Sequence, residues 1–125
     1  VTTFAALAAT VLLGALALFQ LALIAGVPIG RFAWGGQHRI LPAKLRVGSV
    51  ISIVLYAVFA VIILERASMI SLLPDAVATV GIWILMAYFA LGIVMNGISR
   101  STPERNLMTP VCVVLAVLCV LVGLS

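Results

Sequence analysis

Negative charge is what this chain has least of: Glu65, Asp75 and Glu104 are its only carboxylates among 125 residues. Charged residues of both signs make up 8% of the sequence, against about a quarter in an ordinary soluble domain, which excludes a water-soluble globular protein. Histidine occurs once, at His38, and there is no CxxC, no histidine pair and no carboxylate cluster, so neither a metal site nor a cofactor is expected. The two cysteines, Cys112 and Cys119, share one apolar run and would lie about 10 Å apart along a helix, too far to bond within it. They read as small apolar residues. A formal charge of +4 is compatible with nucleic acid, but the basic residues flank apolar runs, where they set topology and meet anionic headgroups, so nucleic acid is not an expected partner.

What is present is hydrocarbon. Apolar residues make up 66% of the chain, in four uncharged runs at positions 4–27, 47–64, 76–97 and 107–124, each close to the roughly 20 residues that cross a bilayer as a helix. The expected fold is an all-α membrane protein, a single domain of four transmembrane helices forming a bundle. The first run is preceded by Val1-Thr2-Thr3, without the positive charge of a signal peptide, and is longer than a typical signal core; it is expected to be a retained span. Whether Val1 is the native start is left open.

Between the runs lie polar connections. From Gly26 to Arg46 glycines and prolines forbid a continuous helix, and Arg31, His38, Arg39, Lys44 and Arg46 place the segment at a membrane surface, with Phe32 and Trp34 suited to the headgroup zone. Pro42 suits the first turn of the second helix, and Pro74 with Asp75 opens the third. Glu65, Arg66 and Asp75 read as helix-end residues. In the second polar loop, 98–106, Thr102 reads as an N-cap and Pro103 as the first helical residue. Within the first span Ala6, Thr10 and Gly14 form a small-residue stripe expected to face another helix.

The positive charges are unevenly placed. The first and third connections carry Arg31, Arg39, Lys44, Arg46, Arg100 and Arg105, whereas the second carries Arg66 against Glu65 and Asp75. The positive-inside rule then puts the first and third connections in the cytoplasm and both termini outside. FQLALIAGVPIGR, ending at Arg31, and YFALGIVMNGISR, ending at Arg100, echo one another, so two parallel helix hairpins are an open possibility.

Gly26-Val27-Pro28-Ile29-Gly30-Arg31-Phe32-Ala33-Trp34-Gly35-Gly36, then Leu41-Pro42 with Arg46, then Met95-Asn96 followed by Ser99, Ser101, Glu104 and Met108-Thr109-Pro110, resemble a group of small four-span bacterial membrane proteins whose function is uncharacterised. The resemblance covers nearly the whole chain. It implies a four-span fold in a bacterial inner membrane and no particular chemistry.

Two sets of residues are candidates for function. Arg31, Trp34, Gln37, His38 and Arg39 on the first loop, with Arg100 and Arg105 on the second, would form a basic collar if the loops meet. Such a collar can hold a lipid phosphate or another anion, with the amides of Gly35 and Gly36 able to approach it; the alternative is that these residues only set topology. Glu104, the one carboxylate on this side, is placed to reach His38. Inside the spans, polarity is confined to Gln20, Tyr88 and Asn96, with Tyr88, Gly92 and Asn96 on one helix face. No serine, cysteine or carboxylate completes a catalytic set with His38, and no ionisable group lies within the spans to couple transport. The expectation is a non-catalytic binding or accessory protein that contacts anionic lipid headgroups or a larger membrane complex at its cytoplasmic rim, alone or as a homo-oligomer. An oligomeric channel or transporter for a small solute is the first alternative, and an enzyme acting on a lipid or phosphate-bearing substrate the second.

Overall fold

The computed structural model describes all 125 residues and contains four long helices: α1 (Thr2–Ile24), α2 (Ala43–Arg66), α3 (Asp75–Gly97) and α4 (Thr102–Gly123). At 1.5 Å per residue each is about 33–36 Å long, enough to cross a hydrocarbon layer of about 30 Å. The protein is thus a multi-pass membrane protein built as an all-helical four-span bundle. α1 packs chiefly on α2 and α3 on α4, so the chain forms two helix hairpins set side by side.

Thr2 bonds Ser125 through their hydroxyls, and Arg66 Nη2 donates to the carbonyls of Gly123 and Ser125 at 2.9 and 2.8 Å, so both chain ends and the second connection share one end of the bundle. The first and third connections share the other, where the Ser101 hydroxyl donates to the Arg31 carbonyl. These are the two groupings that the charges imply.

The core sits in the half nearer the chain ends. Ala5, Ala6 and Ala9 let α1 approach its neighbours closely, and Ile63, Ile82 and Val122 fill the space between the helices. At mid-height Phe59 of α2 meets Tyr88 and Phe89 of α3 edge-on, with ring centroids 5.2 and 5.9 Å apart. Large aliphatic side chains such as Val11, Leu18, Val54 and Ile84 point outward, as a lipid solvent permits. The stripe expected on α1 is corrected in part. Ala6 is buried and Thr10 bonds its own Ala6 carbonyl, but Gly14 faces outward with nothing within 4 Å, because the packed face runs through Ala5, Ala9 and Leu13.

Helix boundaries differ from the expected ones where local backbone geometry or a capping bond decides. α1 stops at Ile24, three residues short of the apolar run's end, because Gly26 turns the chain at φ +89° against the Arg46 side chain. Pro42 and Pro74 are N-caps, not first-turn residues. The cap of α4 is Ser101, one residue before Thr102, since its hydroxyl accepts from the Glu104 amide and Glu104 stands three residues on, as in a capping box. Glu65 is more than a helix-end residue. Its carboxylate is buried and accepts from the backbone amides of Leu72 and Leu73, which the turn into α3 leaves without helical partners.

Truncating Glu65 therefore strands two amides at the membrane boundary. Glu65→Ala is expected to lower the unfolding free energy in micelles by roughly 2–3 kcal/mol, whereas exposed Asp75→Ala, at a helix first turn, changes it by about 0.5 kcal/mol. Denaturant unfolding followed by circular dichroism measures both.

Candidate functional site

The first connection does not float on the bundle. It folds into two short 3₁₀ turns, Gly30–Phe32 and Trp34–Gly36, held over the helix ends by a small core of Leu23, Ala33 and Leu41. Gly30 is needed because the returning segment of the loop is laid against it, and a Cβ there would collide with the His38 carbonyl. Trp34, Gly35 and Gly36 follow one another with φ of 52°, 75° and 71°, a run in the left-handed region. At Gly36 a side chain would also strike Ser101, so glycine is required twice over.

Glu104 ties this loop to α4. Its Oε2 accepts from the Gly35 amide at 3.2 Å and its Oε1 from the Ser99 hydroxyl at 2.6 Å, while its own amide caps onto Ser101. The expectation that Glu104 reaches His38 is corrected: the exposed imidazole lies beyond the loop's turn, and the glycine amide is the group in front of the carboxylate. The same contact corrects the idea that glycine amides 35 and 36 await a foreign anion. Gly35 already binds the protein's own carboxylate and Gly36 donates to the Ala33 carbonyl.

Of the collar residues, Arg31, Gln37, His38, Arg39, Arg100 and Arg105 are all exposed around this end. Arg31 stacks on the Phe32 ring at 5.0 Å, and Arg105 reaches the Ser99 carbonyl and the Thr102 hydroxyl. The loops do meet, through Ser101 with the Arg31 carbonyl and Glu104 with the Gly35 amide, and the guanidinium-bearing residues around them are exposed. None of them bonds a carboxylate.

Beneath the loop is a cavity of about 470 Å³. All four helices and the first connection contribute to its walls, which are mostly apolar. Residues spaced by four supply two facing sides: Ser52 and Tyr56 from α2, and Tyr88, Gly92 and Asn96 from α3. Gly48, one turn before Ser52, carries the Trp34 indole, which a Cβ at that position would meet at 2.8 Å. Trp34 therefore lies across the mouth, half of it outside and half lining the space. Gly92 gives the matching relief on α3, where a side chain would meet Cys112 Sγ at 2.9 Å.

The three intramembrane polar residues expected from the sequence all border this cavity, joined by Tyr56 and Cys112, which the sequence reading did not connect with them. Asn96 Nδ2 donates to the Gly92 carbonyl at 2.8 Å and meets Cys112 Sγ at 3.5 Å, so its amide is largely used within α3 and α4. Gln20 is different. It is 8% exposed, its Nε2 reaches the Tyr56 hydroxyl only at 3.5 Å, and its Oε1 has no partner. Arginine, lysine and histidine are absent from the lining, where the single charged group is Glu104. Compared with protein-family models, curated proteins and solved structures, the chain matches none.

The clasp can be tested apart from any ligand. With Trp83→Phe leaving Trp34 as the sole indole, Glu104→Ala is expected to cost roughly 2 kcal/mol through the unpaired Gly35 and Ser99 donors. It should also shift Trp34 emission to longer wavelength as the loop lifts from α4. Unchanged emission and stability would remove Glu104 from this role.

Proposed function

We propose that the protein is a non-catalytic binding protein of a bacterial inner membrane, which takes a small amphiphile from the bilayer into the cavity between its helices while its basic rim rests on anionic headgroups. The observation that carries this is the cavity itself. At about 470 Å³ it falls within the range of small-molecule sites, about 300–1,000 Å³, and its apolar walls with a few polar groups are of the usual kind. Its position favours binding over passage: the aromatic row at mid-height and the packed half beyond it, with Leu115, Ile82 and Ile63 buried, leave no open path to the chain-end side. An enzyme is disfavoured because the histidine is exposed on the rim, away from Cys112 and Glu104.

The rim has a separate part in this proposal. Arg31, Arg39 and Arg100 are free of carboxylate partners and ring the same end, so they serve as cytoplasmic topology determinants that draw anionic lipid around the bundle, each contributing about 1 kcal/mol near a charged surface.

Native mass spectrometry of protein released from bilayer nanodiscs separates the two parts. Wild type is expected to retain one tightly held amphiphile. Ser52→Phe, which places a ring in the cavity, is expected to lose it without loss of helix content. Replacing Arg31, Arg39 and Arg100 together by alanine is expected to reduce the more weakly held anionic lipid several-fold and leave the cavity occupant in place. Equal retention by wild type and Ser52→Phe would sink the cavity reading.

A further inference from the structure

The cavity's polar groups are unequal in what they lack, and the difference identifies a ligand. Gln20 is more than nine-tenths buried, and its Oε1 accepts no hydrogen bond. Leu13 is the midpoint of α1, and Gln20 lies seven residues beyond it, about 10 Å along the axis. With a half-thickness of about 15 Å, that puts the amide about 5 Å inside the hydrocarbon, where no bulk water answers it. An orphaned acceptor at such a depth carries the full desolvation cost of the group. Tyr56 is complementary: its hydroxyl oxygen accepts from Gln20 Nε2, and this is its only hydrogen bond, so its own proton is free for the space beside it.

From this pair we infer that the cavity is a site for a neutral lipid alcohol, whose hydroxyl donates to Gln20 Oε1 and accepts from the Tyr56 hydroxyl while its aliphatic part lies among the apolar walls. The inference rests on the cavity being a binding site and adds the chemical class of its occupant. A hydroxyl is the smallest group that answers both residues, because it donates and accepts at one oxygen. An ether oxygen accepts only and leaves Gln20 Oε1 orphaned. A carboxylate or phosphate sets acceptor against acceptor there, and it enters a space whose one charged side chain is the Glu104 carboxylate and which no cationic side chain lines. A cation would compete with the Gly35 and Ser99 donors for the Glu104 oxygens and leaves Gln20 and Tyr56 without a reason for their pairing. The anion-binding collar expected from the sequence therefore belongs to the outer rim, and the cavity selects against the same ligands.

Trp34, at the mouth, reports occupancy. In a Trp83→Phe protein reconstituted in nanodiscs, titration with ω-bromoundecanol is expected to quench Trp34 saturably, about tenfold more tightly than its methyl ether, the difference that one net hydrogen bond of about 1.4 kcal/mol makes. ω-Bromoundecanoate is expected to bind more weakly than the alcohol. Gln20→Leu should erase the preference for alcohol over ether while retaining quenching by both, and Tyr56→Phe should reduce it. Equal binding of alcohol and ether by the unsubstituted cavity, or tighter binding of the carboxylate, overturns the inference and leaves the binding site standing. Absence of saturable quenching by every probe, with Ser52→Phe making no difference, removes the site and the inference together.

Discussion

Backbone amides that leave a helix at the edge of hydrocarbon need an acceptor, and this chain meets the need with two of its three carboxylates. Glu65 takes the amides of Leu72 and Leu73 where the chain turns into α3; Glu104 takes the amide of Gly35 where the long connection crosses α4. Both are buried, and neither is neutralised by an arginine. In water such donors would be solvated at no structural expense. At a membrane boundary the irregular backbone folds only where protein supplies the partner, and these carboxylates hold the connections in place.

The consequence at the loop end is a lid. Because Glu104 holds Gly35, the preceding Trp34 is fixed in the left-handed region, which costs a residue with a Cβ about 1–2 kcal/mol. Packing offsets the strain. The far edge of the indole lies on the bare backbone of Gly48, and the residue borders the cavity. A glycine at position 34 would relieve the conformation and leave the cavity open to headgroups and water, so it is the ring's position that the strained backbone maintains.

The four spans were legible from hydrophobicity alone, because the hydrocarbon layer allows little besides a long apolar helix, and the breaks were legible from Gly26, Pro42, Pro74 and Pro103. The ends of those elements were less so. Ile24 ends α1 because Gly26 turns the chain at positive φ just beyond it, and Ser101 displaces Thr102 as a cap because of the geometry of Glu104, neither of which a span count contains. The site divides in the same way. Gln20, Tyr88 and Asn96 stood out as polar exceptions in apolar runs, and they do border one cavity. Tyr56 was concealed by its apolar neighbours, although Gly48, Ser52 and Tyr56 repeat at four, the same interval as Tyr88, Gly92 and Asn96. Glycine-bearing rows of that kind mark faces that other side chains approach closely, Trp34 at Gly48 and Cys112 at Gly92. The collar residues are exposed at one end of the bundle, but spacing along a loop does not reveal which way a guanidinium points.

Charge then divides the rim of the molecule from its cavity. All seven basic side chains avoid the cavity, and the one charge on its lining is negative, so the surface most attractive to anionic headgroups and the interior least tolerant of them lie within one loop of each other. Such a division follows from solvation. A guanidinium on the rim keeps its water and gains a phosphate; carried inward by a few ångströms it would lose hydration worth more than that pairing. Uncharged amides and phenols can be carried inward at a cost that a single hydrogen bond offsets, and Gln20 with Tyr56 is the pair left partly unanswered. On the proposed function, selection by the interior is accordingly a matter of hydrogen-bond polarity, and attraction to the rim a matter of charge.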